Sequence, residues 1–241
     1  KRLHAILEYA QSKAAEDDED EGLQSADDTL KSAFAPTVTQ DERKSDQPVH
    51  KPPFDGEALP YKAASMKPGR GDAESFYEPA DAPLIRAAIA EVVDIEGPIS
   101  LNLLSKRIGA RWSFGRVTAR AQKRTSQLVD RSSIVVVRDG GTFFWPTQLD
   151  PKNYSKYRYP ADPDSHRDAD DLPIQEVANA ALNVLRKSIS LSKEELARET
   201  ARIFGFQRMG TKVTKRMYAG IGRLIEIGHA TTREDLIALL D

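Results

Sequence analysis

From residue 84 onward the apolar positions fall at helical spacing. Leu84, Ile85, Ala88, Ile89, Val92 and Val93 predict one helix, stopped by Gly97-Pro98. Asp81-Ala-Pro83 offers its start, an acid able to cap and a proline in the first turn. Ile99 predicts a short extended link and Ser100 a second cap, after which Leu101, Leu104 and Ile108 predict a helix ending at Gly109. A third helix is expected from about Phe114 to Asp130, with Val117, Ala121 and Leu128 facing inward. The period then changes to that of a strand. Ile134-Val-Val-Val137, Asp139-Gly-Gly141 and Thr142-Phe-Phe-Trp145 predict a β-hairpin, because Asp-Gly supplies the positive φ of a tight turn.

The same order returns further on. Asp171-Leu-Pro173 repeats the acid-x-Pro start, and Ile174, Val177, Ala178, Ala181, Leu182 and Leu185 form the next apolar face. Ile189-Ser-Leu191 resembles Ile99-Ser-Leu101, and Ser192-Lys-Glu-Glu195 is a capping box. A third helix is expected from Lys212 to Ile227, then a stunted wing at 228–232 and a short terminal helix over 234–240. The two halves align at offsets near 90 at the acid-x-Pro start and 96 at Arg116-Val-Thr-Ala-Arg120 against Lys212-Val-Thr-Lys-Arg216. This predicts an internal duplication. Three helices followed by a hairpin is the order of a winged helix, so the expected fold class is mainly α with small β-hairpin wings, as tandem winged-helix units at 81–147 and 172–241.

The flanking segments lack such periodicity. Residues 1–13 predict a short helix, and Glu16-Asp-Asp-Glu-Asp-Glu21 opens a tract to Asp28 with eight acids and one large apolar residue. With Pro36, Pro48, Pro52, Pro53, Pro60, Pro68 and Pro79 following, residues 14–80 are expected to be a mostly disordered linker. Residues 148–171, with three tyrosines among prolines and aspartates, are expected to be a second linker.

Charge changes the picture through its placement. Lys and Arg number 35 against 37 Asp and Glu, so the total favours no partner. Yet residues 106–131 hold eight basic residues against Asp130 alone, and residues 202–223 hold six with no acid. Both sets fall on the helix that enters the major groove in a winged helix. Arg116, Arg120, Lys123 and Arg124 share one helix face at spacings i, i+4, i+7 and i+8, opposite the apolar residues. The expected nucleic-acid-binding residues are Arg116, Thr118, Arg120, Lys123 and Arg124 in the first unit and Lys212, Thr214, Lys215 and Arg216 in the second. Such faces neutralise phosphates, and the two threonines are expected to donate to a phosphate near the helix start. DNA, read through its backbone, is the expected partner, and base specificity is not. The alternative is a protein-interaction module, its basic helices docking on a motor domain of the same protein or on an acidic partner.

Several classes lose support. The chain has no cysteine, and its four histidines are scattered, so neither a thiolate site nor an HExxH site is expected. There is no phosphate loop, no GxSxG elbow and no EF-hand spacing among Asp162, Asp164, Asp168, Asp170 and Asp171. No catalytic residue, metal, cofactor or small-molecule substrate is expected. No stretch reaches the roughly 20 apolar residues of a membrane span, so a cytoplasmic setting is expected.

Ile95-Glu-Gly-Pro-Ile-Ser100, Leu104-Ser-Lys-Arg-Ile-Gly109, the Gly115-Arg-Val start and Gly141-Thr-Phe-Phe-Trp145 resemble the C-terminal domain of unknown function 3320 of large bacterial helicases. In the second unit Ile174-Gln-Glu-Val177, Glu194-Glu-Leu-Ala197 and Phe204-Gly-Phe206 fit as well, so the resemblance covers about residues 60–241. It implies a superfamily 1 helicase whose ATPase core lies upstream, residues 1–13 being the end of that core, with this chain as its accessory module. In that family a Vsr-like endonuclease often precedes the module. Here a linker stands in its place, and no nuclease residue carries over.

Overall fold

The computed structural model describes residues 57–66, 69 and 71–240, all within one compact unit. The expected helix at 1–13, the acidic tract and the first part of the linker lie outside these residues. The fold is α/β, half helix, with small antiparallel sheets. Strand β1 (Glu57–Pro60) leads in. The first repeat follows as α1 (Ala82–Glu96), β2 (Ile99–Ser100), α2 (Leu101–Arg111), α3 (Ala119–Leu128), β3 (Ile134–Arg138) and β4 (Thr142–Pro146). After β5 (Lys156–Tyr159), the second repeat has α4 (Ile174–Arg186), β6 (Ser190–Ser192), α5 (Lys193–Ile203), α6 (Thr211–Glu226), β7 (Ala230–Arg233) and β8 (Leu236–Leu239). The sheets are ordered β2-β4-β3 and β6-β8-β7, both antiparallel, while β1 and β5 form a parallel pair.

Local chemistry accounts for the helix starts. The Ser100 hydroxyl accepts from the Leu103 amide at 3.0 Å, and Ser192 with Glu195 forms the reciprocal capping box at the start of α5. Asp81 stands at the N-cap of α1 without capping it, its carboxylate accepting from Trp112 Nε1 at 2.8 Å instead. The two cores are separate. Ile85, Ile89, Val92, Leu104, Ile108, Leu128 and Phe144 centre the first, and Val177, Ala181, Leu185, Leu196, Met217, Ile221 and Leu224 the second. In β4 successive side chains alternate between faces: Phe144 enters the first core, while Phe143 and Trp145 pack on the other face with Tyr154. Both faces are covered, which is why this strand is apolar from Phe143 to Pro146.

Two expected boundaries are corrected. The linker predicted to reach residue 80 ends earlier, because 57–66 and 71–81 are built into the fold. Phe76 and Ala64 belong to the first core, and Phe76 meets Trp112, Phe114 and Tyr77 edge to face. The linker predicted at 148–171 holds β5 together with buried Tyr154, Tyr157, Arg158 and Arg167. The terminal helix predicted over 234–240 is instead strand β8, the middle strand of its sheet. A two-residue turn, Glu234-Asp235, reaches it with φ of 48° and 67°, the left-handed pair that closes a tight hairpin.

A buried ionic seam joins lead-in, first repeat and second repeat. Glu176 on α4 is fully buried and accepts from Arg158 Nε at 3.0 Å and from Arg167 Nη2 at 2.8 Å. Arg158 also donates to the backbone carbonyls of Glu96 (2.8 Å) and Pro98 (2.7 Å), at the end of α1. Glu96, itself fully buried, accepts from Arg107 at 2.9 Å, from the Ala64 amide at 2.8 Å and from the Tyr61 hydroxyl. The Tyr61 ring meets both guanidinium groups of the seam, Arg158 at 5.2 Å and Arg167 at 4.2 Å. Every charge in this interior therefore has an opposite charge and further hydrogen bonds, the condition under which burial is tolerable.

Burial alone would raise the Glu176 carboxyl, but the Arg158 and Arg167 charges outweigh it and hold the group at about 2, below its ordinary 4.5. The folded state thus favours the ionised form, so this stabilisation is complete above the ordinary carboxyl range and is lost as pH falls from there toward 2. Thermal melts followed by circular dichroism are expected to show Tm falling through that window, with a flatter fall for Glu176→Gln. The helices α4 and α6 cross at Gly220, where an added Cβ would stand 2.3 Å from Val177 Cγ1 and 3.0 Å from the Val177 carbonyl carbon. Gly220→Ala is therefore expected to destabilise by about 1–3 kcal/mol despite the better helix propensity of alanine, as measured by urea unfolding.

Candidate nucleic-acid interface

Helix α3 begins one turn later than expected, because Thr118 is its N-cap and accepts from the Ala121 amide at 3.2 Å. The Thr118 hydroxyl thus accepts at the helix start and keeps its O–H able to donate. Arg116 lies before the helix, exposed in the 115–117 turn. Ala121, Thr125 and Leu128 face the core, while Arg120 and Lys123 stand exposed. Arg120 lies over the Tyr77 ring at 4.0 Å. Arg124 is different, since its guanidinium donates to the carbonyls of Phe76 (2.6 Å) and Glu78 (2.7 Å), fastening the lead-in to α3.

In the second repeat the N-cap of α6 is Gly210, and Thr214 lies inside the first turn. Lys215 is exposed, and Lys212 pairs with Asp170 at 3.1 Å on the surface. Arg216 is 5% exposed. It donates to the carbonyls of Ala169 (3.2 Å) and Asp170 (3.3 Å) before α4, reaches the Asp139 carbonyl at 3.4 Å and lies over the Phe143 ring at 5.2 Å. Desolvation lowers its pKa, opposed by Asp170, Asp139 and Asp171. Arg216 is a strut between the first hairpin and the second repeat, which corrects its expected role as a phosphate ligand.

These contacts also revise how the halves align. The caps Ser100 and Ser192 are 92 residues apart, as are Trp112 and Phe204 at the helix ends and Thr118 and Gly210 at the third-helix caps. The pair Arg124 and Arg216 has the same spacing, as do the carbonyls of Glu78 and Asp170 that they hold. The matching strings at 116–120 and 212–216 thus sit one helical turn out of step. The equivalent of Trp112 is Phe204, and Phe206 is the equivalent of Phe114, their amides bonding to Ala201 and Gly109. Trp112, Phe204 and Trp145 are all buried, in keeping with packing roles. The signal that would have found the clamps is the identical basic residue at 92-residue spacing, masked by the longer string at 96.

Six of the nine expected residues remain solvent-facing: Arg116, Thr118, Arg120, Lys123, Lys212 and Lys215. On the first repeat Arg116, Arg120 and Lys123, with Lys106 and Arg131 nearby in the chain, are exposed and have no carboxylate partner among the described residues. By contrast, the cleft of about 620 Å³ between the start of α2, the first hairpin and the start of α6 is lined by Asp168, Asp170 and Asp171. There Asp171 accepts from Ser100 Oγ and from Asn102 Nδ2 at 3.1 Å, and an anion has no seat. Among the described residues no group of His, Asp and Glu has the arrangement to hold a metal ion, and no helix is long and apolar enough to cross a membrane.

Residues 74–123 carry a DUF3320 domain, matching the family profile described as "Protein of unknown function (DUF3320)". The match spans the end of the lead-in, α1, β2, α2 and half of α3, less than the expected 60–241, and connects the chain to no helicase. No curated protein and no solved structure matches the chain.

The division between clamps and free cations makes a stability prediction. Arg216→Ala is expected to cost about 2–3 kcal/mol, from lost charged hydrogen bonds and the packing of its stem. Lys123→Ala is expected to stay within about 0.5 kcal/mol of the parent. Urea titrations of the two single variants check this.

Proposed function

We propose that this chain is a DNA-binding module of two tandem winged-helix units, contacting phosphates mainly through α3 of the first. What carries the reading is the exposed set of Arg120 and Lys123 on the solvent side of α3 and Arg116 in the turn before it, none with a carboxylate partner among the described residues. The recurrence of helix, strand, helix, helix and hairpin supports the winged-helix assignment. Such cations release condensed counterions on binding, so affinity rests on the backbone and depends on salt. The first hairpin takes no part at its tip, because Gly140 there packs against Arg216. The second unit contributes less, its Arg216 being buried and its Lys212 paired. On the family resemblance, the module serves a helicase-like motor as an accessory, holding duplex or fork DNA while the motor translocates.

Fluorescence anisotropy of the full chain with a labelled duplex and a labelled fork, across salt concentrations, tests this. Binding at low salt is expected, with log K falling linearly against log salt by about 0.9 per phosphate neutralised. The double variant Arg120→Glu, Lys123→Glu is expected to weaken binding at least about tenfold and to flatten that slope. Absence of binding by the parent at low salt, or an unchanged slope in the double variant, refutes the reading.

A further inference from the structure

The two repeats differ in one groove. In the first, the end of α1 and the outer side of α2 are covered by the lead-in arm. Tyr61 and Ala64 bond to Glu96, Met66 Sδ lies 3.9 Å from Arg111 Nη1, and the Gly69 amide donates to the Arg111 carbonyl at 3.1 Å. Beneath this arm Val92 and Ile99 are sealed, at 0% and 1% exposure. The residues 92 positions later are Val184, Leu191, Ser188 for Glu96 and Ile203 for Arg111. They line an open groove of about 680 Å³ with Asn183, Lys187, Glu199 and Arg202. Val184 and Leu191 are only half-buried there, and Ile189 in the adjoining turn is 97% exposed.

We propose that this groove of the second repeat is a docking site for an extended peptide segment of a partner protein, seated as the arm is seated in the first. The first repeat supplies the precedent, since the same helix pair accepts an extended chain with a large side chain, a small one three residues on and Met two further. Substitutions in the second groove define what the occupant must change. Glu96, which receives the Tyr61 hydroxyl, is replaced by Ser188, and Arg111 by Ile203, so the floor of Val184, Leu191 and Ile203 takes an aliphatic anchor. Arg202 is already paired with Glu199, while Lys187 is exposed with no carboxylate partner among the described residues. The partner segment therefore carries an aliphatic anchor and a carboxylate. Its recognition rests on an apolar anchor and one ion pair, distinct from the basic face of α3.

The probe is a fluorescein-labelled peptide with the sequence of residues 57–66 carrying Tyr61→Leu and Lys62→Asp, titrated with the full chain. Because the chain has no cysteine, a dye on Ile189→Cys reports arrival at the groove alone. Saturable binding with a dye shift is expected, weakened tenfold or more by Ile203→Asp, threefold or more by Lys187→Glu, and untouched by Arg120→Glu with Lys123→Glu. Should Ile203→Asp fail to fold, the exposed Lys187 position decides. The proposal is overturned if the peptide does not bind or if neither groove variant weakens it. Loss of binding in Glu96→Gln instead would mean that the peptide has displaced the arm, which also overturns it. So would a dimer in sedimentation that Lys187→Glu or Ile203→Asp dissolves, since a second copy would then be the occupant.

Discussion

The junction of lead-in, first repeat and second repeat rests on two fully buried glutamates. Glu176 and Glu96 each sit beside guanidinium groups, and Arg158 spans them by bonding the first carboxylate and the backbone beside the second. Removing Glu176 would strand buried positive charge, where breaking a pair costs far more than forming it contributes, and removing Glu96 would leave the Tyr61 hydroxyl and the Ala64 amide without their acceptor. The seam also fixes where the arm runs. Tyr61 is held by the two arginines and by Glu96, so β1 meets β5 in parallel, Ala58 beside Tyr157, with no choice of register.

The basic residues of the third helices divide by depth. Those a half-turn toward the core became clamps, Arg124 for the stretch before α1 and Arg216 for the stretch before α4. Those facing outward kept their charge free. A guanidinium suits the first task because its planar fork satisfies two or three carbonyls at once, as a lysine cannot. The repeated basic cluster therefore has a structural cause in part, and the proposed phosphate contacts draw on the remainder.

How much of this the chain announces depends on whether the cause is local. Helices α1, α2, α4 and α5 and the first hairpin were legible, since apolar spacing, serine caps and Asp-Gly act within a few residues. The linker expectation failed at 57–81 and 148–171 because Tyr61, Phe76, Arg158 and Arg167 are isolated anchors whose partners lie far along the sequence. No window of Pro, Ser and Asp displays a carboxylate waiting elsewhere. Leu236, Leu239 and Leu240 fit a helical period by accident of a central strand, and only the left-handed Glu234-Asp235 pair distinguishes the two. In the candidate site the row of cations was visible, but their depth was not. Arg216 and Arg120 look alike in their strings, and a shift of one turn buries the first.

The bridging position of Arg158 bears on what the recurrence of elements along the chain means for the folded molecule. A repeated chain usually keeps halves that can be exchanged, lost or reused, each with its own core and its own stability. Here one arginine, from neither half, is shared between the end of the first helix of one and the first helix of the other. Its bonds join the two halves, so the recurrence of elements along the chain is not matched by a clean division of the fold between them.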